Sequence, residues 1–227
     1  MNAVGLFPAI AHWLTGAHIA RVTKVDDPES LGRIEVQLLG PDPDGEAKIW
    51  ARVAVPYAGH NYGAFLIPDV DSEVLVVFPA GDAAHPVVIG ALWNGSTSLP
   101  ETLGGDRVDR WTLTGKNGTR IAIVEESGGQ ETVEISTPGG AIATLTDQDG
   151  GKIHIEVGTH SIEMGSSGIA IETTAEFKVK AASIAMEATS VDVKTPLATF
   201  TMAVDCKTLT STAITSTTYS PGAGNIW

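Results

Sequence analysis

From Ile162 to Val193 the chain reads IEMGSSGIAIETTAEFKVKAASIAMEATSVDV. Apolar pairs two residues apart recur in it as Ile162/Met164, Ile169/Ile171, Phe177/Val179, Ile184/Met186 and Val191/Val193, with pair starts stepping by 7, 8, 7 and 7. A seven-residue step invites a coiled coil, but heptads need apolar positions 3 and 4 apart. Here they are 2 and 5 apart, which scatters them around a helix. Two apart places both side chains on one face of a strand. The stretch is therefore expected to form short strands of about five residues, each turning after seven or eight and pointing one apolar pair inward.

The pattern extends both ways. Upstream lie Ile121/Ile123, Val133/Ile135 and Ile153/Ile155, and downstream Phe200/Met202. Between Thr195 and Ser220, 12 of 26 residues are Thr or Ser, and β-branched Thr favours extended backbone. Asn117-Gly118, Ser127-Gly128-Gly129, Pro138-Gly139-Gly140 and Asp149-Gly150-Gly151 suit hairpin or corner turns, so residues 107–150 are expected to form broader strands tapering into a regular needle. Two modest apolar side chains per strand enclose only a thin core. One chain achieves that by coiling three strands into a rung of about 22 residues; three chains achieve it by each giving one strand to every rung, which leaves no long edge open.

Before Trp93 the pattern is alternation: Ile19, Arg21, Val22 and Val25; Ile34, Val36 and Leu38; Ile49, Ala51, Val53 and Val55. Two continuous β-branched stretches follow, Glu73–Phe78 and Pro86–Leu92, and their continuity predicts burial on both sides. Five strands in about 75 residues with no helical partner predict a small barrel of the oligonucleotide/oligosaccharide-binding (OB) type, because an open sheet would expose long edges. Asp26-Asp27-Pro28 and Pro41-Asp42-Pro43-Asp44-Gly45 are turns; the second is no EF-hand, since glycine stands at loop position 4 rather than 6. Leu6, Ile10, Trp13 and Leu14, spaced at 3 or 4, would line one face of a short N-terminal helix.

Composition narrows the function. With 14 Lys and Arg against 27 Asp and Glu, a net charge of −13 argues against a grip on phosphate backbones, which is built from cations. One cysteine, Cys206, forms neither an internal disulfide nor a thiolate cluster. The longest apolar run, Val87–Trp93, falls far short of the roughly 18 residues a spanning helix needs. Met1–Leu14 has no Lys or Arg and reads poorly as a secretory signal, so synthesis and folding in a cytoplasm are expected. No Gly-x-Ser-x-Gly elbow, phosphate loop or His-Glu-x-x-His pair occurs in the chain. His154, Glu156, His160 and Glu163 carry metal-ligating groups, yet alternation turns His154 and Glu156 outward when Ile153 and Ile155 point in. No catalytic, cofactor-binding or metal residue is assigned, and the protein is not expected to be an enzyme. Glu125 and Glu126 read as surface charge.

Val25-Asp26-Asp27-Pro28, Leu31-Gly32-Arg33-Ile34-Glu35-Val36, Trp50-Ala51-Arg52-Val53 and Ala58-Gly59 are followed by Ile67-Pro68-Asp69-Val70, Glu73–Phe78, Gly81-Asp82 and Pro86–Gly95. In order and distance this series resembles the N-terminal domain of phage baseplate assembly protein V and its VgrG-type relatives. Asp71-Ser72 departs from it, standing where the family more often has a glycine before the Glu. The resemblance implies the central spike of a contractile tail or injection machine: a trimeric barrel under a hub protein, continued as an intertwined needle that pierces a target cell envelope. Only about 15 residues, Ser96–Arg110, separate barrel and needle, too few for the lysozyme domain some members insert. Some members end in a His-x-His iron-binding tip; no histidine follows His160 here, so a PAAR-type tip protein seated on the blunt end is the alternative the resemblance offers.

The expected organisation is all-β: a helical arm at 1–17, an OB-like five-stranded barrel at 18–95, a linker at 96–110, a triple-stranded, trimeric β-helix at 111–220 and a tip tail at 221–227. Leu6, Ile10 and Trp13 are candidates for hub contact, and Ile226 and Trp227 for tip contact. Ile169, Ile171, Phe177, Val179, Ile184, Met186, Val191 and Val193 are the expected needle core. The rival reading is a monomeric β-helix that binds or cleaves carbohydrate. It lacks sugar-stacking aromatics, since only Phe177, Phe200, Tyr219 and Trp227 follow residue 115.

Overall fold

The computed structural model describes residues 16–40, 48–213 and 215–217. The arm carrying Leu6, Ile10 and Trp13, the turn at 41–45 and the tail with Ile226 and Trp227 therefore lie outside the described residues. The fold is all-β. The first seven strands are β1 (Ala17–Lys24), β2 (Arg33–Leu38), β3 (Lys48–Val53), β4 (Ala58–Gly59), β5 (Tyr62–Gly63), β6 (Glu73–Val77) and β7 (Val87–Leu92). Five of them pair in a ring, β1-β2-β3-β7-β6, with β6 returning to β1. Every contact in the ring is antiparallel except β3 with β7, which is parallel. Register shifts between Val22 and Lys24 and between Leu75 and Val76 add the local twist that lets so short a sheet close.

Alternation becomes a core here. Ala20, Val22, Ile34, Val36, Ala51, Val74, Val76 and Val88 are fully buried, joined by Leu38 and Phe78. The continuous apolar runs were expected to be covered on both faces, but they are not. In β6 only Val74 and Val76 are buried, and in β7 only Val88. A ring of five strands has one interior, so every second side chain faces out whatever its polarity.

The loop between β1 and β2 is organised by one carboxylate. Asp27, almost wholly buried, accepts hydrogen bonds from the backbone N–H groups of Glu29 (3.0 Å), Leu31 (2.9 Å) and Arg33 (3.2 Å) and from the Arg33 guanidinium at 2.8 and 3.1 Å. Arg33 also pairs with Glu29 at 3.0 Å and lies 5.7 Å from the centre of the Trp50 ring. Between β5 and β6, Asp71 takes a φ of 69°. That left-handed geometry favours glycine and is tolerated by Asp, which accounts physically for the departure at Asp71-Ser72.

A second sheet follows: β8 (Arg110–Thr114), β9 (Arg120–Val124), β10 (Thr132–Ser136), β11 (Ala141–Thr146), β12 (Lys152–Val157), β13 (His160–Gly165) and β14 (Gly168–Glu172). Its order is that of the chain, β8 to β14, each strand antiparallel to the last. Asn117-Gly118, Gly128-Gly129, Gly139-Gly140 and Gly150-Gly151 fall in its first four turns. Broad strands thus continue to Glu172 rather than tapering near residue 150.

Phe177 begins a separate unit. Among its described residues there is no strand, and all of them are exposed. Bends recur at Ala182, Thr189 and Pro196, which is the seven-residue step read from the sequence. Hydroxyls bridge the chain at Pro196, where Thr195 accepts from the Leu197 N–H, and again further on, where Ser211 accepts from Ala213; just before the unit Thr173 accepts from Ala175. These side-chain turns give the abundant Ser and Thr a local role.

Candidate assembly surface

The register of the second sheet fixes which side chains share a face, because residues directly opposite across an antiparallel pair project to the same side. One row runs Trp111, Ile123, Val133, Leu145, Ile153, Met164, Ile169, and its neighbour runs Leu113, Ile121, Ile135, Ala143, Ile155, Ile162, Ile171. Fourteen consecutive apolar positions thus form a band two side chains wide and, at about 4.8 Å per strand, about 29 Å long. Eleven of the fourteen are exposed among the described residues. Soluble proteins rarely leave an apolar patch of this extent open unless something binds there.

The opposite face is polar. One of its rows reads Thr112, Ala122, Glu134, Thr144, His154, Glu163, Ala170. His154 lies 3.0 Å from Glu156 and 3.6 Å from Glu163, which also faces Lys152 at 3.6 Å. These groups stand on the side away from Ile153 and Ile155, as alternation requires. No group of three or more His, Cys, Asp or Glu side chains placed to hold a metal ion occurs among the described residues.

Near β8 and β9 the polar face holds the incoming linker. Glu101 accepts a 2.7 Å hydrogen bond from Arg120 and faces Arg110 at 3.6 Å. Arg120 also reaches Glu134 at 3.0 Å, and Arg110 pairs with Asp109 and Glu126. Arg120 beside Glu101 holds that carboxyl below its usual range, and Arg110 does the same to Asp109. Arg33 holds Asp27 well below the ordinary carboxylate range. All of these are structural ion pairs. Asp109, Arg110 and Glu126 line an open pocket with Asp106 and Arg107, and Glu126 pairs with Arg110.

Of the residues expected in the needle core, Ile169 and Ile171 sit on the apolar face of β14. Phe177, Val179, Ile184, Met186, Val191 and Val193 lie in the strandless segment, and all eight are exposed in the single chain. The face-sharing of Trp111 and Leu113 went unread in the sequence, although the same i, i+2 spacing carries it. The exposed hairpin β4–β5 was also missed, because two-residue strands leave no alternation to detect.

A small closed barrel followed by a strand meander with one exposed apolar face defines the class: an all-β protein. Residues 18–93 match the family described as the type VI secretion system/phage-baseplate injector OB domain. Among curated proteins, the type VI secretion system spike protein VgrG4b of Pseudomonas aeruginosa is 31% identical over 109 residues, covering 45% of this chain and 14% of that protein. VgrG5 of the same organism is 33% identical over 113 residues, with 46% and 14% covered. The protein named actin cross-linking toxin VgrG1 of Vibrio cholerae is 27% identical over 118 residues, 45% of this chain and 11% of its own length. Over its matched part the chain is VgrG-like, similar to the baseplate and spike proteins of contractile injection systems, and the match spans about one seventh of the first two relatives' length. No helix among the described residues is long and apolar enough to cross a membrane.

Proposed function

We propose that this protein is the central spike of a contractile injection machine, a homotrimer that closes the baseplate hub and is driven through a target cell envelope. The observation that carries this is the pair of apolar rows on the open face of β8–β14. Burial at about 25 cal/mol per Å² makes so long a band strongly self-associating, and a second copy of the same face is a matching cover.

Geometry accommodates three copies. A strand of five or six residues spans about 17–20 Å. A three-sided prism with faces of that width puts each sheet about 5–6 Å from the axis, half of the roughly 10 Å that separates packed sheets. The segment after Phe177 supports the same number. It repeats one apolar pair per seven residues and has no strand among its described residues, whereas a single-chain rung of about 22 residues would pair each strand with the one a turn later. Interleaving three such segments supplies both hydrogen-bonding neighbours and a closed core, with Ile169, Ile171, Phe177, Val179, Ile184, Met186, Val191 and Val193 inside. A prism with every edge paired has few points of local unfolding, and the work is mechanical rather than enzymatic.

In this reading Leu6, Ile10 and Trp13 meet the hub protein, and Ile226 and Trp227 meet a PAAR-type tip protein. The chain is made in the cytoplasm and built into a phage tail or secretion particle, without binding nucleic acid. Sedimentation equilibrium of the purified protein tests it. The expected mass is three times the 23.6 kDa chain, with the frictional behaviour of a rod, while a compact monomer would overturn the proposal.

A further inference from the structure

We infer that the β4–β5 hairpin is an interlocking element that docks on the first strand of the second sheet in a neighbouring copy, an inference resting on the trimer proposed above. From Pro56 to Pro68 the chain reads PYAGHNYGAFLIP, with no Lys, Arg, Asp or Glu, in a protein of net charge −13. Its apolar side chains are not inside. Phe65 is 85% exposed, Tyr62 68% and Tyr57 61%. Together with Val53, Val55 and Ile67 they border an open groove of about 430 Å³.

The hairpin is stiff, which separates it from a loose surface loop. Ala58 pairs with Gly63 and Gly59 with Tyr62, and the Ala64 N–H donates to the Tyr57 carbonyl at 3.1 Å. The Tyr62 ring lies against Gly59, where an added Cβ would fall 2.2 Å from the ring. Asn61 closes the turn at a φ of 60°. An apolar element held rigid in the open meets a partner without an ordering cost.

Topology names the partner. The segment after the groove lies where the chain leaves the barrel: Glu73 pairs with Leu92, the last residue of β7, and Asp69 forms an ion pair with Lys116 in the first turn of the second sheet. At that end the uncovered apolar rows begin, with Trp111 and Leu113 on β8. Within one chain neither surface covers the other, since Phe65, Trp111 and Leu113 are all exposed. Threefold assembly brings three hairpins and three β8 strands to the same height around one axis. Each hairpin then continues the apolar face of the adjacent copy, so that barrels and sheets are locked in register.

The test uses the full-length chain carrying benzoylphenylalanine in place of Phe65, irradiated after assembly and run under denaturing conditions. The expected products are covalent dimers and trimers, with mass spectrometry placing the adduct in the peptide from Trp111 to Lys116. A trimer that gives only intrachain adducts, adducts elsewhere, or none would overturn the interlock while leaving the spike reading intact; a monomeric starting protein would overturn both. As a second measure, Phe65→Ser alters an exposed residue and should leave each chain folded, yet shift trimer dissociation to at least tenfold higher protein concentration. An unchanged dissociation profile counts against the hairpin.

Discussion

The barrel and the second sheet are written in the same residues and solve opposite problems. Val22, Val36, Val74 and Val88 are completely buried, the first two between polar neighbours and the last two within apolar runs, because their five strands curl until the last pairs with the first. Ile121, Ile135, Ile155 and Ile171 alternate as Val22 and Val36 do and stay exposed, because their seven strands follow one another without closing. A ring supplies the second wall of its own core, whereas a meander must obtain one from elsewhere. Alternation in a sequence therefore announces a buried face without saying whose chain buries it.

The sharpest way to break this comparison is to put charge on the meander's apolar face or on the needle repeat. In the proposed trimer, Ile155→Asp or Ile184→Asp places three carboxylates around one axis, at several kcal/mol of desolvation per ion. Sedimentation should show complete loss of the trimer. The control is Thr144→Asp, on the opposite face of β11, which should leave the mass unchanged. Equal behaviour of Ile155→Asp and Thr144→Asp would mean that the apolar face is not the assembly surface.

The same logic predicts a large but different response in the barrel. Ile34 is fully enclosed by its own chain, so Ile34→Ala should cost about 2–5 kcal/mol. The loss should appear in the denaturant midpoint of the barrel while the protein remains a trimer. If Ile34→Ala dissociates the assembly instead, the barrel is not the self-sufficient half.

Much of this contrast was legible. Pairs at i, i+2 with glycine-bearing turns predicted strands from Ile121 to Ile171. Alternation grouped Ile34, Val36 and Leu38, all buried, whereas in the first strand it grouped buried Val22 with exposed Ile19 and Val25. What escaped notice depended on partners far away in sequence. The outward half of β6 and β7 follows from closure of a five-stranded ring, and Glu73–Phe78 read alone is indistinguishable from a doubly buried strand. The arrangement of β8–β14 as a single face rests on hairpin register, which short Gly-rich turns suggest but do not number. The ties of Glu101 to Arg110 and Arg120 join residues nine and nineteen apart through side-chain reach, for which no periodicity exists. Asp27 was visible only as a turn residue; that it takes five hydrogen bonds emerges from the shape of the loop.

That loop offers a smaller test, confined to the self-contained half. Arg33 and three backbone N–H groups hold the Asp27 carboxyl well below the usual carboxylate range, so the unfolded chain takes up a proton at higher pH than the folded one. The stabilisation is complete above the ordinary Asp range near pH 4 and disappears only as pH falls through the depressed folded value. Protection factors of the Glu29, Leu31 and Arg33 amides should therefore hold from pH 5 down to about pH 4 and fall progressively between pH 4 and pH 3. In Asp27→Asn they should be lower throughout and independent of pH over that interval, with the trimer retained. A wild-type loop that opens above pH 4 would show that the carboxylate is not what fixes it.

The smallest effect belongs to the linker. Glu101 is bound by Arg120 and faces Arg110 on the polar side of the meander, with its side chain about one fifth exposed, so solvent screens part of the attraction. Glu101→Gln keeps a hydrogen-bond acceptor and loses the charge, for about 1 kcal/mol or less. In a chain of this size that amounts to a fall of no more than about 4 °C in the midpoint of sheet melting. Because Arg120 depresses the Glu101 carboxyl, the wild-type advantage should persist above the ordinary Glu range and vanish as acid protonates the folded carboxylate. An effect as large as that of Ile155→Asp would mean that the linker, rather than the apolar face, holds the copies together, and the contrast between a self-walled barrel and a partner-walled sheet would have to be redrawn around the strap that joins them.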